Sequence, residues 1–455
     1  MFIHNLLKRL IGSLILTFAL VSHCCFANFD DAMKLYQQGD YENAYAQLRT
    51  LAEIGYYPAQ FNLGVMYASG QHVKRDDIQA YAWMKLTEGK LEAMDQRTQE
   101  FYQGFSAEAK LAADNRAEEI MSIFGDDALA KSLLPSPLAD ADCTPPVRAI
   151  SYAQPNYPSA ALRRGNIAVV LVTFDVDKNG RVISPAIIFG QEQFHKPTIE
   201  AMLKAKFPAG QPANGLVNRV HYALANSSQK EGSYLSDLVG KIRKEADEGG
   251  SAMQKFSYAA NTAHMAKKRP EDQVLNQYII DAAQQGLPQA QFLIGRNLLY
   301  GRGCEVDLMK GLEWLRRSAQ SSYAPAQHLL ATKTFADKRH RKTSMLWLEN
   351  AANSKHQPAM LKLAWILATS PDADVLNPER ALKLASAANK KPADKITAFD
   401  TLAAAYAANG HFKAAIKLEK KAIRQAKRLK WSLPALHNRL TSFEQGVAWV
   451  DYENH

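Results

Sequence analysis

Ala59-Gln60-Phe61-Asn62-Leu63-Gly64 returns as Ala290-Gln291-Phe292-Leu293-Ile294-Gly295, 231 residues further along the chain. The match runs outward from there without a gap. Ala52 and Gly55 answer to Ala283 and Gly286, Gly70 to Gly301, Asp76 to Asp307 and Trp83 to Trp314. Nine agreements within 32 residues at one offset mean that one structural unit occurs in both halves of the chain. Its residues read as a helical hairpin. Small residues at 59, 64, 290 and 295 let two helices approach closely, and Phe61, Leu63, Tyr67 and Trp83 fill the groove between hairpins. Gly70, and Gly301-Arg302-Gly303, supply the turn, since glycine tolerates positive φ. A single hairpin cannot bury its apolar face, so such units stack.

Weaker copies follow at Ala326-Gln327 and Pro358-Ala359. The anchor alanines 290, 326 and 359 are 36 and 33 residues apart, the pitch of a helical-hairpin solenoid. The pattern A-x-x-G-x-x-x-A-Q-x-x-L-G-x-x-Y-x-x-G, then V-x-x-D, then A-x-x-W, resembles the Sel-one-like repeat family. It is strong over Ala52–Trp83 and Ala283–Trp314, with Gly311 in place of Ala80 and Cys304 in place of Val73. Phe29 to Leu51, with Ala32, Tyr36, Gly39, Tyr41 and Ala44, looks like a leading hairpin. Further on, Leu402-Ala403-Ala404-Ala405-Tyr406 with Gly410, Phe412, Ala415 and Ala422 resembles a tetratricopeptide repeat. Asn377-Pro378-Glu379-Arg380-Ala381 starts the preceding helix, Asn377 as N-cap and Pro378 at the first helical position. Both resemblances imply protein-interaction scaffolds. The repeat-defining positions are Gly64, Tyr67, Gly70, Trp83, Gly295, Gly301, Trp314 and Tyr406.

Between the two arrays the periodicity changes. Pro135, Pro137, Pro145 and Pro146 mark a linker over 135–146. Beyond it, Ile167–Val176 (IAVVLVTFDV) is rich in β-branched residues and reads as a strand. Asp177-Lys178-Asn179-Gly180 supplies a hairpin turn. Arg181–Phe189 is the return strand, with Pro185 demoting its middle to an edge or bulge. Helices are expected at Pro158–Arg164 and Lys196–Lys206, and a third strand at Val217–Leu224. The order is α-β-β-α-β.

Tyr157-Pro158, Ala161, Gly165, Val170-Leu171-Val172-Thr173-Phe174, Asp177, Gly180, Ala201 and Phe207-Pro208 make this segment, roughly 147–225, resemble the TonB C-terminal domain family. It departs in carrying Lys204 and Lys206 where an aromatic-basic run is usual. The resemblance implies a periplasmic module whose edge strand pairs with a partner's extended peptide. Main-chain hydrogen bonds would give affinity and alternate side chains choice. The candidate partner-binding residues are Arg219, Val220, His221, Tyr222, Ala223 and Leu224. An energy transducer of the TonB type, acting on an outer-membrane transport receptor, is the alternative. It calls for a permanent membrane anchor, a long spacer and a C-terminal domain. Here the domain is central, and a 12-residue spacer reaches only roughly 37 Å when extended.

The 455 residues are 47% hydrophobic, which excludes a mostly disordered chain. Lys8-Arg9, the apolar run Leu10–Val21 and Ser22–Ala27 read as a signal peptide cleaved after Ala27, with export to the periplasm. An uncleaved inner-membrane anchor is the alternative. Cleavage leaves Cys143 and Cys304, whose pairing stays open, and a net charge of +8. The stretch 376–431 holds 13 Lys or Arg against 4 Asp or Glu, an excess of +9, so the rest of the chain nearly balances. It is a candidate contact for anionic surfaces. Nucleic acid is not expected, because aromatic residues are not interleaved with the charge. No H-E-x-x-H, G-x-S-x-G or C-x-x-C occurs, and Gly210–Gly215 lacks the Lys-Ser/Thr of a phosphate loop. No catalytic residue, metal ligand or cofactor is expected. The reading is a mainly α chain, two α-solenoid arrays flanking a small α+β domain. The expected units are the signal (1–27), repeats (28–134), linker (135–146), α+β domain (147–225), repeats (237–370), tetratricopeptide-like repeats (371–430) and a tail (431–455). Other envelope proteins are the expected partners.

Overall fold

A computed structural model describes residues 29–135, 147–222, 240–248, 250–265, 272–302, 305–390 and 392–451. The expected signal peptide, nearly all of the linker, Cys143, Cys304, Ala223 and Leu224 lie outside these residues. The described chain is mainly helical, with one three-stranded antiparallel sheet near its middle.

The duplicated hairpins form as the pattern predicts. Tyr57–Ser69 packs on Asp77–Lys85, and Pro288–Tyr300 on Leu308–Gln320. Each first helix has proline in its first turn and ends on a left-handed glycine, Gly70 or Gly301. Each second helix is capped by the repeated aspartate. Asp76 accepts from the Gln79 N–H and Asp307 from the Lys310 N–H. The repeated glutamine joins one hairpin to the next. Gln60 Nε2 donates to the Ala52 carbonyl at 3.1 Å, Gln291 to Ala283 at 3.0 Å and Gln327 to Ala319 at 3.0 Å. In each case the acceptor is a carbonyl at the preceding helix's end that also takes a turn N–H, from Gly55, Gly286 or Ser322. A Cβ on Gly64 would sit 2.7 Å from the Ala80 carbonyl oxygen, and one on Gly295 would sit 2.9 Å from that of Gly311. The close approach therefore requires glycine in both copies.

The two arrays abut in space. One core contains Leu48, Leu63, Ile120 and Leu133 of the first with Phe256, Leu298, Trp314 and Leu330 of the second. Trp314 Nε1 donates to the Leu133 carbonyl (2.8 Å), Lys310 Nζ to that of Leu134 (3.0 Å) and Gln284 Nε2 to that of Ile54 (3.2 Å). The α+β domain is thus an excursion from a scaffold that closes behind it.

That domain follows the expected order: Ser159–Arg163, β1 (Ala168–Val176), β2 (Val182–Phe189), a helix at His195–Met202 and β3 (Ala213–Tyr222). The sheet order is β2-β1-β3. The register between β1 and β2 shifts around Ser184-Pro185, where Ser184 has φ 51°, so proline sits at a bulge on an edge strand. Two boundaries differ from expectation. The helix stops at Met202 because Lys206 bridges to Ser151 and Arg181. β3 begins earlier, since Leu216 and Ala213 pair with Phe174 and Val176.

The C-terminal helices are Pro378–Ala388, Lys395–Ala408, Phe412–Leu429 and Pro434–Glu444. The last corrects the expected tail. Leu436, Leu440 and Phe443, at i, i+4 and i+7, pack it onto its neighbours, and the Asp451 N–H donates to the Thr369 carbonyl.

Candidate peptide-binding edge

β1 is buried on both faces, which is why its sequence is a near-continuous apolar run. Val172, Phe174 and Val176 turn toward the domain's own helix with Met202 and Phe207. Leu171, with Ile188 of β2, turns the other way into the core of the repeat array. The sheet is therefore the middle layer of three.

The expected binding residues divide between these layers. Tyr222 is buried on the helix side. Its hydroxyl lies 2.9 Å from Thr198 Oγ1, and its ring centroid lies 4.4 Å from that of Phe194. Val220 is half-buried on the same side. Arg219 pairs with Leu171 across the strands, so it lies on the array side, as does His221 opposite Val169. His221 remains exposed. Crowding of its ring by protein, and then the Arg219 charge, lower its pKa.

β3 ends the sheet, and its outer edge is partly capped by the array. Arg296, on Pro288–Tyr300, donates from Nη2 to the Leu216 carbonyl at 3.1 Å. Arg302 donates to the Asn214 carbonyl at 2.7 Å. Gly215, between them, donates its N–H to Asp175 Oδ1 at 2.7 Å and has φ 69°. A Cβ there would sit 2.2 Å from Tyr300 Cδ2, so the strand meets the tyrosine ring directly. Arg296 is 2% exposed. Burial pushes its pKa down to about 10, against the pull of Asp175, and it stays protonated at neutral pH. The Tyr323 hydroxyl donates to the Ile187 carbonyl at 3.4 Å, and Phe189 meets Phe256 edge-on. These contacts hold the sheet on the array.

Alternate residues of an antiparallel strand turn their main-chain groups outward. The Leu216 carbonyl is outward, because Arg296 takes it. The register from 216 to 222 has no shift, so Asn218, Val220 and Tyr222 are in step with it. Beside Leu216 and Val217 opens a cavity of about 360 Å³ walled by Val147, Ala149, Tyr152 and Phe207.

The repeat-defining residues are structural in position. Gly64, Gly70, Gly295 and Gly301 make the approaches and caps described above. The Tyr67 hydroxyl lies 2.8 Å from that of Tyr45, and Trp83 stacks on Phe124 at 5.2 Å. Trp314 reaches Leu133, and Tyr406 meets the His411 ring. None of them joins the β3 edge. Sequence reasoning missed Arg296, Tyr300, Arg302 and Gly215. Their signal was there: at the offset of 231, the first copy has Val65, Ser69 and Gln71 in place of Arg296, Tyr300 and Arg302. A second missed cluster lies in the C-terminal helices. Arg439 forks onto Asp400 at 2.7 and 2.8 Å, between Trp365 and Trp449, with Glu419 fully buried beside it. Among the described residues no group of three or more His, Cys, Asp or Glu could hold a metal ion. No helix of them is long and apolar enough to cross a membrane.

Such an arrangement defines a helical-repeat scaffold with a small strand-presenting domain docked on it. Residues 58–87, 288–323 and 357–391 match the Sel1 repeat, and residues 153–225 match the Gram-negative bacterial TonB protein C-terminal domain. The chain thus carries three Sel1 repeats and a TonB C-terminal domain. The third repeat match runs across residue 370, where a change to tetratricopeptide-like repeats was expected. Protein TonB of Salmonella typhimurium is 36% identical over 86 residues, which are 18% of this chain and 36% of that protein. The chain therefore spans little more than a third of that relative. Among solved structures, a protective antigen of uropathogenic Escherichia coli displaying an SLR fold aligns with a TM-score of 0.32 and 13% identity, over 90% of this chain and 80% of its own. A Sel1 repeat protein from Oxalobacter formigenes aligns with a TM-score of 0.38 and 18% identity, over 50% of this chain and 91% of its own.

Proposed function

We propose that this chain is a non-enzymatic protein-interaction scaffold of the bacterial envelope, in which a partner's extended peptide adds to the outer edge of β3. One observation carries the reading. β3 ends a sheet whose other face and far strand are packed on the array, and its outward main-chain groups run in step from Leu216 to Tyr222. Arg296 and Arg302 take the first part of that edge. The peptide therefore pairs over Asn218, Val220 and Tyr222, and the cavity beside Val217 accepts one apolar side chain. The match to the TonB C-terminal domain supports the mode of binding and an envelope location. The Sel1 repeats support binding rather than catalysis. Export to the periplasm through a signal peptide at 1–27 belongs to the same proposal.

The test is a photo-crosslinking side chain at Asn218 or His221 in the full chain, with adducts from the cell envelope identified by mass spectrometry. Adducts with soluble or inner-membrane proteins are the expected result. Adducts with a periplasmic peptide of an outer-membrane receptor would instead assign the chain to transport coupling. If neither position gives an adduct, β3 is a structural strand and the reading is wrong.

A further inference from the structure

Helix Phe412–Leu429 carries Lys413, Lys417, Lys420, Arg424, Lys427 and Arg428, all exposed. At 3.6 residues per turn they fall within about 100° of the helix circumference and extend about 22 Å. Every residue of the helix that points into that arc is Lys or Arg. The opposite side, Ala415, Ala422, Ile423 and Ala426, is buried. Glu419, the helix's one carboxylate, is turned inward and fully buried. Lys430, in the left-handed cap, continues the exposed charge.

Helix stability does not account for this arrangement. Lys427 and Arg428 suit the negative end of the helix dipole, but Lys413 sits at its positive end. Lys413 and Lys417, Lys417 and Lys420, Lys420 and Arg424, and Arg424 and Arg428 are like charges three or four positions apart, each pair repulsive. Among the described residues, Lys420 is the one of the six that meets a carboxylate: Glu444 at 2.9 Å, with both side chains about half exposed. Such a surface pair is weak and screened by salt.

We propose that this face docks the protein on a bilayer of anionic phospholipid. A protein partner ordinarily meets a buried apolar or aromatic anchor at the centre of its interface. This arc is convex, as a helix surface is, and offers no apolar residue. A lipid surface needs none, because its headgroups form a broad, laterally adaptable layer of negative charge. With no apolar side chain to insert, the contact is peripheral and electrostatic. It is independent of the β3 edge.

The experiment is co-sedimentation of the full chain with vesicles of phosphatidylcholine alone, or with one third phosphatidylglycerol. The expected result is binding to the phosphatidylglycerol vesicles at about 0.1 M salt and release at about 0.5 M. Lys417→Glu with Arg424→Glu should weaken binding at least tenfold, with helical circular dichroism unchanged, since the new glutamates face lysines on their own helix. Lys417→Arg with Arg424→Lys should bind as the parent. Lys338→Glu, exposed outside the arc, should also leave binding intact. Equal binding to neutral vesicles overturns the proposal. So does unchanged binding by the double reversal, or equal weakening by Lys338→Glu, which would make net charge the cause. Failure to bind either vesicle overturns it too, and leaves an acidic protein as the occupant to seek.

Discussion

The two hairpins at the offset of 231 share their scaffold and differ in what they face. In both, glutamine joins one hairpin to the next, glycine admits the neighbouring helix, aspartate caps the second helix, and tryptophan closes the groove. The first copy then has Val65 half-buried and Ser69 exposed, while Gln71 accepts from the Tyr36 hydroxyl. The second has Arg296, Tyr300 and Arg302 there, and all three meet β3. Motif positions thus build the hairpin, and the positions between them decide what docks on it. The motif tryptophan is the exception: Trp83 stacks on Phe124 within the first array, whereas Trp314 bonds across the junction of the arrays.

The tryptophans give the largest expected effect. Truncating a buried Trp costs ~3–5 kcal/mol through lost burial and the cavity left behind. Trp314→Ala also removes the hydrogen bond to Leu133, so it should lower the melting temperature more than Trp83→Ala. Equal falls would mean that the junction adds nothing to what each hairpin does for itself.

Arg296→Val writes the first copy's residue into the second. The protein should stay folded, because the hydrogen-bond partner of Arg296 is a main-chain carbonyl rather than a carboxylate, so its removal strands no paired charge. The local consequence should be larger. Amide exchange over residues 214–217 should rise about ten- to hundredfold, as expected for losing a charged hydrogen bond of ~1.5–3 kcal/mol. Gly215→Ala should do the same from the other side, by forcing a methyl group against Tyr300. Unchanged exchange in both would show that the edge is held by the apolar contacts alone. The edge should also gain peptide-pairing length in Arg296→Val, because the Leu216 carbonyl becomes available.

The glutamines should give smaller, graded losses. Gln291→Ala and Gln327→Ala each remove one bond to a buried carbonyl, worth ~1 kcal/mol. Gln60→Ala should cost more, since Gln60 also donates to the Phe124 carbonyl at 3.3 Å. Chemical denaturation of the three variants would rank them, and a flat ranking would remove the second bond from the account.

This division explains what could be read in advance. The hairpins were legible because Ala-Gln, Gly, Asp and Trp are needed at fixed spacing by helix geometry and capping. The α-β-β-α-β order was legible from the change of period and from Asn179-Gly180. β1's unbroken apolar run marked it as a strand, but not that its second cover is the repeat array, because burial does not name what does the burying. The Arg296 contact joins residues 80 positions apart through one main-chain carbonyl, and no local pattern encodes that. The final helix was missed for a plainer reason: its three apolar anchors are spaced correctly but lie in a short, polar stretch. Of the β3 residues chosen, the strand and its place at the sheet edge were legible, whereas its capping at Asn214 and Leu216 was not.

Positions between the motifs also set how the C-terminal half responds to pH, with two groups acting in opposite directions. His328 and His356 lie with ring centroids 5.5 Å apart. Burial lowers His328 to about 3, with His356 and Lys362 adding repulsion, and burial lowers His356 to about 4. Below the ordinary histidine pKa the unfolded chain therefore takes up protons that the fold refuses. The stability these residues contribute is present above pH ~6.5 and is lost as the pH falls toward those lower values. Glu419 is the reverse case. Burial, and then the charge of Asp400, push it up to about 9 despite Arg439. Its contribution is full below the ordinary carboxyl pKa and is lost as the pH rises through about 9. Melting temperature against pH should therefore fall on both sides of neutrality. Glu419→Gln, which keeps the neutral shape, should flatten the alkaline limb and steepen the acid limb above the ordinary carboxyl pKa, whereas His356→Asn should flatten the acid limb alone. If Glu419→Gln leaves the alkaline limb unchanged, Glu419 is ionised in the fold. Arg439 would then be balancing two charges, with Asp400 sharing its fork.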